Sequence, residues 1–534
     1  MSLLRLDDLS LAILGKPILS GVSLDIAGGE IFGLVGESGS GKSMTALAVR
    51  GLLPSGATTS GRAEFMGRNL LMLPERALTG LRGNEIGMIF QEPMTALNPM
   101  KTIGDQVAET LLIHRAASRA GARDVAREKL ARVGLPEDRF PLSRYPHELS
   151  GGQRQRVAIA MAIALRPRLL IADEPTTALD VTTQAQILGL LKGLTGDEGM
   201  ALMLITHDLA VVAGMAARVA VMQNGRIVEQ GGTETLFRSR TQDYTRRLFA
   251  ASAHKPQRVA QTRPETLLSV EGAVREYILP RPSPFAKPPV LRAVDGVSLT
   301  IRKGESLGLV GESGCGKSTL TRAILGLDPI QGGAIRLDGQ EVTPGHTMPH
   351  DLRAKMQVVF QDPYGSFNPR HRVERLIAEP FHLTGQPKDA RDRVAAALEE
   401  VGLSAADMGK YIHEFSGGQR QRIAIARALI IRPDLIVLDE AVSALDVRVR
   451  AQVLDLLARL QESHGLAYLF ISHDLSVVRS ITDRVLVMQA GRIVEEGATE
   501  AVFARPQHAY TRTLVAATPV IPAAWQITGG KHEA

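Results

Sequence analysis

The stretch Gly311-Glu312-Ser313-Gly314-Cys315-Gly316-Lys317-Ser318, closed by Thr319, constrains this chain more than any other. Its G-x-x-x-x-G-K-[ST] spacing is that of a phosphate-binding loop. Leu307–Val310 before it reads as a short buried strand, and Thr319–Leu325 after it as a helix. The glycines let successive backbone N–H groups turn inward as a nest for phosphate oxygens. Lys317 is placed to reach the β- and γ-phosphates and Ser318 to hold Mg²⁺, and the positive end of the helix adds to the attraction. A glycine-rich turn with a chance lysine would lack this strand-and-helix frame. The same loop stands earlier as Gly36-Glu37-Ser38-Gly39-Ser40-Gly41-Lys42-Ser43, closed by Met44. The chain is therefore a duplication.

At 534 residues it is too long for one core. A hydrophobic content of 44% belongs to an ordinary globular protein. The net charge of +6 suits an anionic partner without selecting one. Cys315 is the sole cysteine, so no disulfide, zinc or iron–sulfur site can be built within one chain. A reducing cytosol fits this. The first eight residues lack the apolar core of a signal peptide. The longest apolar run, Val157–Leu165, is far below the ~20 residues that span a bilayer. Work at a membrane would need another chain to supply the span.

Each copy alternates strands with helices, which predicts an α/β layered domain with a largely parallel sheet behind an antiparallel opening sheet. In the first copy, helices are expected around Ile103–His114, Gly121–Val133, Gln153–Leu165 and Gln184–Leu194. Gln361 stands 270 residues after Gln91, and Ser416, Asp439 and His473 each stand 266 after Ser150, Asp173 and His207. Residues 1–252 form the first domain and 266–534 the second, with a C-terminal extension. Between them, 253–265 is polar with two prolines and reads as a solvated linker. Pro280–Pro289 reads as an exposed proline-rich loop.

The diagnostic stretch is Leu149-Ser150-Gly151-Gly152-Gln153, repeated as Phe415-Ser416-Gly417-Gly418-Gln419. A Ser cap with two Gly behind it opens a helix and leaves an anion site at its positive end. Ser-Gly-Gly is also an ordinary N-cap, but two occurrences, each a fixed distance before an apolar strand ending Asp-Glu, are not ordinary. The sequence resembles the ATP-binding cassette (ABC) family, over nearly the whole chain and twice. The resemblance implies two tandem P-loop NTPase cassettes, each a RecA-like α/β core with an antiparallel β subdomain and a helical subdomain. It implies ATP and Mg²⁺ as cofactors. The cassettes would pair head to tail within the chain, Gly36–Ser43 with Ser416–Gln419 and Gly311–Ser318 with Ser150–Gln153. Asp173 and Asp439 would hold Mg²⁺ through water, beside Ser43 and Ser318. Glu174 and Glu440 would polarise the attacking water, and His207 and His473 would sense the γ-phosphate. Gln91 and Gln361 would contact Mg²⁺ and relay toward a partner; Asp180 and Asp446 would lie at the dimer seam. Tyr277 would stack on adenine in the second copy, and the first has no matching aromatic near Ile13. Ala441-Val442 replaces Pro175-Thr176, and Met44 stands where a polar residue is common. Both sites keep lysine, carboxylates and histidine, so both are expected to hydrolyse ATP.

Gln91–Pro99 and Gln361–Pro369 resemble the extended Q-loop of the bacterial peptide and nickel importer branch. So do the copy endings Asp243–Leu248 and His508–Leu514. The resemblance implies an ATPase coupled to solute transport at the cytoplasmic face of the plasma membrane. Its cargo class would be dipeptide, oligopeptide, glutathione or microcin-like peptides. Its partners would be two transmembrane permease subunits, docked around Gln91 and Gln361, and a periplasmic solute-binding protein, with no nucleic acid. The alternative is a soluble tandem-cassette translation factor of the ABC-F type, which usually carries a long charged linker.

Overall fold

In this computed structural model, the alternating leucines of the opening stretch form strand β1 (Ser2–Ile13), paired antiparallel with β2 (Lys16–Ala27). Leu4 and Leu6 are buried, then Leu9 and Leu11. The change of parity falls at a bulge where Asp8 takes φ +52°, which puts both halves of the strand on one core. β4 (Ala57–Phe65) and β5 (Arg68–Asn69) complete a four-stranded sheet in the order β2-β1-β4-β5.

A second sheet holds β3 (Ile31–Val35), β6 (Ile86–Ile89), β7 (Leu169–Asp173), β8 (Ala201–Thr206), β9 (Arg218–Gln223) and β10 (Arg226–Gly232), in the order β10-β9-β3-β8-β7-β6. Only β10 runs antiparallel to its neighbour. Every residue of β7 and β8 is buried, as strands covered on both faces require. Because β3, β8 and β7 are parallel neighbours, the segments leaving their carboxyl ends emerge side by side. These segments carry the phosphate loop, Thr206-His207 and Asp173-Glu174, and such an edge is where α/β sheets bind ligands. Helices Ile103–Ile113, Arg119–Arg132 and Gly151–Ala162 form a helical layer around Ile103, Val107, Ala126, Leu130 and Val157.

The second half repeats the plan. β11 (Thr266–Ile278), β12 (Val290–Arg302), β14 (Gly332–Leu337) and β15 (Gln340–Glu341) form the antiparallel sheet. β13 (Ser306–Val310), β16 (Met356–Val359), β17 (Leu435–Asp439), β18 (Ala467–Ile471), β19 (Arg484–Gln489) and β20 (Arg492–Ala498) form the other, in the order β16-β17-β18-β13-β19-β20. One difference lies in its helical layer. Where the first copy has the continuous helix Ile103–Ile113, Pro380 separates Val373–Ala378 from Phe381–Thr384, because its ring cannot occupy a helix interior.

The structure describes residues 2–91, 96–177, 179–258, 262–279, 281, 285–362, 364–443 and 445–525. Parts of the expected linker (259–261), the proline-rich loop (280, 282–284), the two extended Q-loops (92–95, 363) and the end of the tail (526–534) lie outside them. The chain divides into one unit of Met1–Leu179, Thr183–Ala253 and Pro519–Ala534, and another of Asp180–Thr182 and His254–Thr518. Two features differ from the division read in the sequence. From Pro519 on, the chain groups with the first unit rather than the second. There Ile521 and Trp525 pack against the cluster of Phe237, Tyr244 and Phe249, with the Trp525 and Phe237 rings edge to face at 5.8 Å. The described linker residues are not a free tether either. His254 lies 2.7 Å from Asp455, and Arg258 pairs with Asp483 and donates to Gln461 at 3.2 Å, all in the second unit. Among the described residues no helix is long and apolar enough to cross a membrane.

Candidate functional site

The loop that follows β3 is shaped by its glycines. Gly41 has φ +106°, and a Cβ there would meet the Leu19 side chain at 2.7 Å. At the matching Gly316, φ is +111° and a Cβ would lie 2.1 Å from the Ala293 carbonyl oxygen. Only glycine fits both demands. Lys42 opens the next helix and is 5% exposed. Its Nζ donates to the Gly36 and Glu37 carbonyl oxygens, each at 2.8 Å, and to Ser40 Oγ at 3.4 Å. In the second unit Lys317 Nζ donates to Gly311 O (2.7 Å), Glu312 O (2.8 Å) and, weakly, Cys315 Sγ (3.9 Å). Cys315 thus takes the place of Ser40. The exposed tips Ser38, Gly39, Ser313 and Gly314 face solvent.

Asp173 ends β7. Burial pushes its carboxyl above the ordinary range, while a hydrogen bond from the Ser43 hydroxyl partly offsets the rise. Its Oδ1 is buried with no hydrogen-bond partner. An orphaned carboxylate oxygen beside a serine hydroxyl is the donor set that a hard cation takes up. Asp439 is also pushed up, first by burial and then by its neighbour Glu440. Among the described residues no three His, Cys, Asp or Glu side chains are grouped to hold a metal alone. An ion here would complete its shell with water or phosphate oxygens.

One residue on, Glu174 sits in the left-handed region at φ +47°, and Glu440 does so at +51°. A non-glycine residue there is uncommon, and its strain is characteristic of functional sites. The Glu174 carboxylate is the hub of the first unit. His207 Nδ1 lies 3.1 Å from Oε1, and Oε2 accepts from Gln91 Nε2 at 3.0 Å and from Thr177 Oγ1 at 2.9 Å. Burial alone would raise its pKa. The hydrogen bond and charge of His207, with Thr177 and Lys42, outweigh burial and hold the group down at about 2. The second unit keeps only part of this. His473 Nδ1 lies 3.3 Å from Glu440 Oε1, whereas Ser443, the counterpart of Thr177, donates to the Glu440 backbone oxygen instead. Gln361 is exposed and makes no such bond. Glu440 is still lowered, because His473 again outweighs burial. Burial works against a charge on His473, but Glu440 outweighs it and raises the imidazole above its ordinary range.

The structure thus gathers Lys42, Ser43, Gln91, Asp173, Glu174 and His207 at one sheet edge, and Lys317, Asp439, Glu440 and His473 at the other. The signature segments stand apart from these clusters within their own units. Ser150 Oγ accepts from the Gln153 amide at 3.3 Å, and the Gln153 side chain accepts from the Ser150 amide at 2.9 Å. Ser416 and Gln419 do the same at 3.4 and 3.0 Å. Each pair is a capping box. Gly152 and Gly418 are needed for packing as well, since a Cβ would meet Thr183 Cγ2 at 2.4 Å or Val449 Cγ1 at 2.3 Å. Tyr277 finds its partners elsewhere than at the loop: its hydroxyl lies 3.5 Å from Asp328 Oδ2, and the Arg275 guanidinium lies over its ring.

Two residues of the site are absent from the sequence reading of roles. Tyr244 Oη accepts a hydrogen bond from the Glu37 amide at 3.2 Å, and Tyr510 Oη accepts from the Glu312 amide at 2.8 Å. Both lie in the copy endings singled out as branch-specific, and the shared Tyr-Thr-Arg at an offset of 266 was their only signal.

A lysine-bearing phosphate loop, a buried Asp and a strained Glu bonded to a histidine, all on one parallel sheet edge, define an ATP-hydrolysing P-loop enzyme, and the signature helices specify which. The sequence model of the ABC transporter family matches residues 19–177 and 294–443, and the chain belongs to that family as a tandem-cassette ATPase. A second model, "Oligopeptide/dipeptide transporter, C-terminal region", matches 494–533. The chain is 50% identical, over 93% of its length and 92% of the other, to "Peptidoglycan transport ATP-binding protein YejF" of Agrobacterium fabrum. It is 47% identical to "Glutathione import ATP-binding protein GsiA" of Salmonella paratyphi A, over 93% of this chain and 86% of that one. Among solved structures, "cbiO1 from clostridium perfringens" aligns at 28% identity, over 45% of this chain and 92% of that one, with a TM-score of 0.40. The two sequence relatives are named as transport and import ATP-binding proteins, which with the C-terminal match sets aside the alternative of a translation factor.

Proposed function

We propose that this chain is the energy-coupling subunit of an importer for small peptides or peptide-like fragments, using two Mg²⁺-dependent ATP sites, each shared between the cassettes. The observation that carries the catalytic part is the Glu-centred cluster occurring twice, each time beside a loop lysine. The C-terminal match at 494–533 and the peptide-related names of the relatives support the cargo class. The proposed division into cassettes of 1–252 and 266–534 follows the duplicated motifs.

In this reading Lys42 and the loop amides hold the β- and γ-phosphates. Asp173 and Ser43, with Gln91, hold Mg²⁺, and Asp439, Ser318 and Gln361 do so in the second site. The ion supplies charge neutralisation on the phosphates. Glu174 orients the attacking water. At a pKa of about 2 it is a weak proton acceptor, so it acts chiefly through position and charge. When His207 turns toward a γ-phosphate, the carboxylate loses its main lowering contact and becomes more basic, coupling nucleotide sensing to base strength. Ser416–Gln419 and Ser150–Gln153 contribute from the opposite cassettes, so ATP binding closes the pair and hydrolysis releases it. In this reading the chain docks on two permease subunits at the cytoplasmic face of the membrane, and a periplasmic solute-binding protein completes the machine on the opposite side.

The test is affinity purification of the Glu174→Gln/Glu440→Gln chain from its own cells with ATP present. Recovery of two polytopic membrane proteins supports the proposal, and the binding protein of that system can then be screened against peptides. Recovery with no membrane protein overturns it.

A further inference from the structure

In each unit the final helix is anchored at both ends of a short path that leads to the phosphate loop. On β10 the Glu229 carboxylate accepts from the Thr241 amide (2.9 Å) and the Gln242 amide (3.3 Å), just before the helix Asp243–Ser252 begins. On β20 Glu495 accepts from the Gln507 amide (2.8 Å) and the His508 amide (2.9 Å), before the helix Ala509–Ala517. A carboxylate on these free N–H groups fixes where each helix starts. The tyrosine in each first turn is nearly buried, Tyr244 at 3% and Tyr510 at 7% exposure. Each ring packs in a core, with Val35 in one unit and Val310 in the other, the last residues of the strands that lead into the loops.

The hydroxyls land on one specific peptide. Tyr244 takes the Glu37 amide, and the Glu37 carbonyl accepts from Lys42 Nζ at 2.8 Å. Tyr510 takes the Glu312 amide, and the Glu312 carbonyl accepts from Lys317 Nζ at 2.8 Å. The second residue of each loop is thus held through its N–H by the tyrosine and through its C=O by the lysine. A buried tyrosine hydroxyl needs some partner, but that need does not select the same loop residue twice.

We infer that Tyr244 and Tyr510 are positioning residues, which set the entry of the phosphate loop and with it the lysine that meets the nucleotide. The C-terminal helix of each cassette is therefore a brace on its own ATP site. The inference rests on the ATPase assignment and not on the importer proposal or its cargo.

The experiment uses the purified full chain with Mg-ATP and compares wild type, Tyr244→Phe, Tyr510→Phe and the double variant. Phenylalanine keeps the ring and removes the hydroxyl. KM for ATP should rise about three- to tenfold in the double variant, as loss of one hydrogen bond at each site implies, with kcat within twofold. Leu248→Ala and Leu514→Ala thin the same helices without touching the loop; they should lower the melting temperature and leave KM unchanged. A double-Phe KM within twofold of wild type overturns the inference, whatever happens to the melting temperature. So does an equal rise in KM from the leucine variants, since the helix as a whole would then be acting and not the hydroxyl.

Discussion

Replacing Glu174 and Glu440 together by glutamine tests the role of the carboxylate hub most directly. The substitution suits the site sterically, and the hydrogen-bond arithmetic shows why it should fold. Oε2 of Glu174 accepts from Gln91 and Thr177, and Oε1 faces His207. A glutamine can keep its oxygen toward Gln91 and Thr177 and turn its NH₂ toward Nδ1 of His207, which accepts when the imidazole carries its proton on Nε2. No donor is left facing a donor. What disappears is the negative charge proposed to polarise the attacking water. Removing one preorganised electrostatic group from a site costs roughly 10²–10³-fold in rate, so kcat should fall by at least ~100-fold, or ~3 kcal/mol in the barrier. ATP affinity should hold, because the lysines and loop amides are untouched. Phosphate release by the purified chain, followed beside equilibrium ATP binding, separates the two. If the double variant keeps more than a tenth of wild-type kcat, the carboxylates do not have the role assigned to them.

Further outcomes follow from other parts of the structure. Gly418→Ala forces a Cβ to within 2.3 Å of Val449 Cγ1, and should cost about 1–3 kcal/mol by overpacking; urea unfolding reads the loss, and adding Val449→Ala should recover most of it. Burial raises the Cys315 thiol above its ordinary 9.0 despite Lys317 nearby. Its thiolate fraction therefore stays small at neutral pH and grows through pH 9. Alkylation by iodoacetamide in the folded chain should keep accelerating past the pH at which the unfolded chain levels off. If ATP sites are shared across cassettes, Lys42→Ala with Ser416→Ala should damage one site and spare half the activity. Lys42→Ala with Ser150→Ala should abolish nearly all of it; equal losses in the two pairs would refute the sharing.

The parts of this fold that were readable in the sequence are those set by local chemistry. A G-x-x-x-x-G-K-S loop demands a strand before and a helix after, and β3 and the helix Lys42–Arg50 stand there. Helix ends were less readable. The signature helix was expected from Gln153 to Leu165 but runs Gly151–Ala162, because the capping box of Ser150 starts it on two glycines that propensity disfavours. The helix expected at Gln184–Leu194 extends over Val181–Glu198. What sequence could not supply was pairing at long range. Tyr244 reaches the Glu37 amide across 207 residues, and nothing local to either one announces it. The inequality of the hubs also needed coordinates, since Thr177 and Ser443 both carry hydroxyls but aim them at different oxygens.

The first unit is completed by residues from the far end of the chain, and this bears on its synthesis. Arg238 and Arg240 donate to the carbonyl oxygens of Ala524 and Trp525, yet 265 residues separate Ala253 from Pro519. At ~5–20 residues per second of translation, the first unit waits roughly 13–50 s for its last piece. Until then Phe237 lacks the indole ring that packs against it. Trp525 is the only tryptophan in the sequence, so emission excited at a wavelength that spares the tyrosines reports the arrival of that final strap.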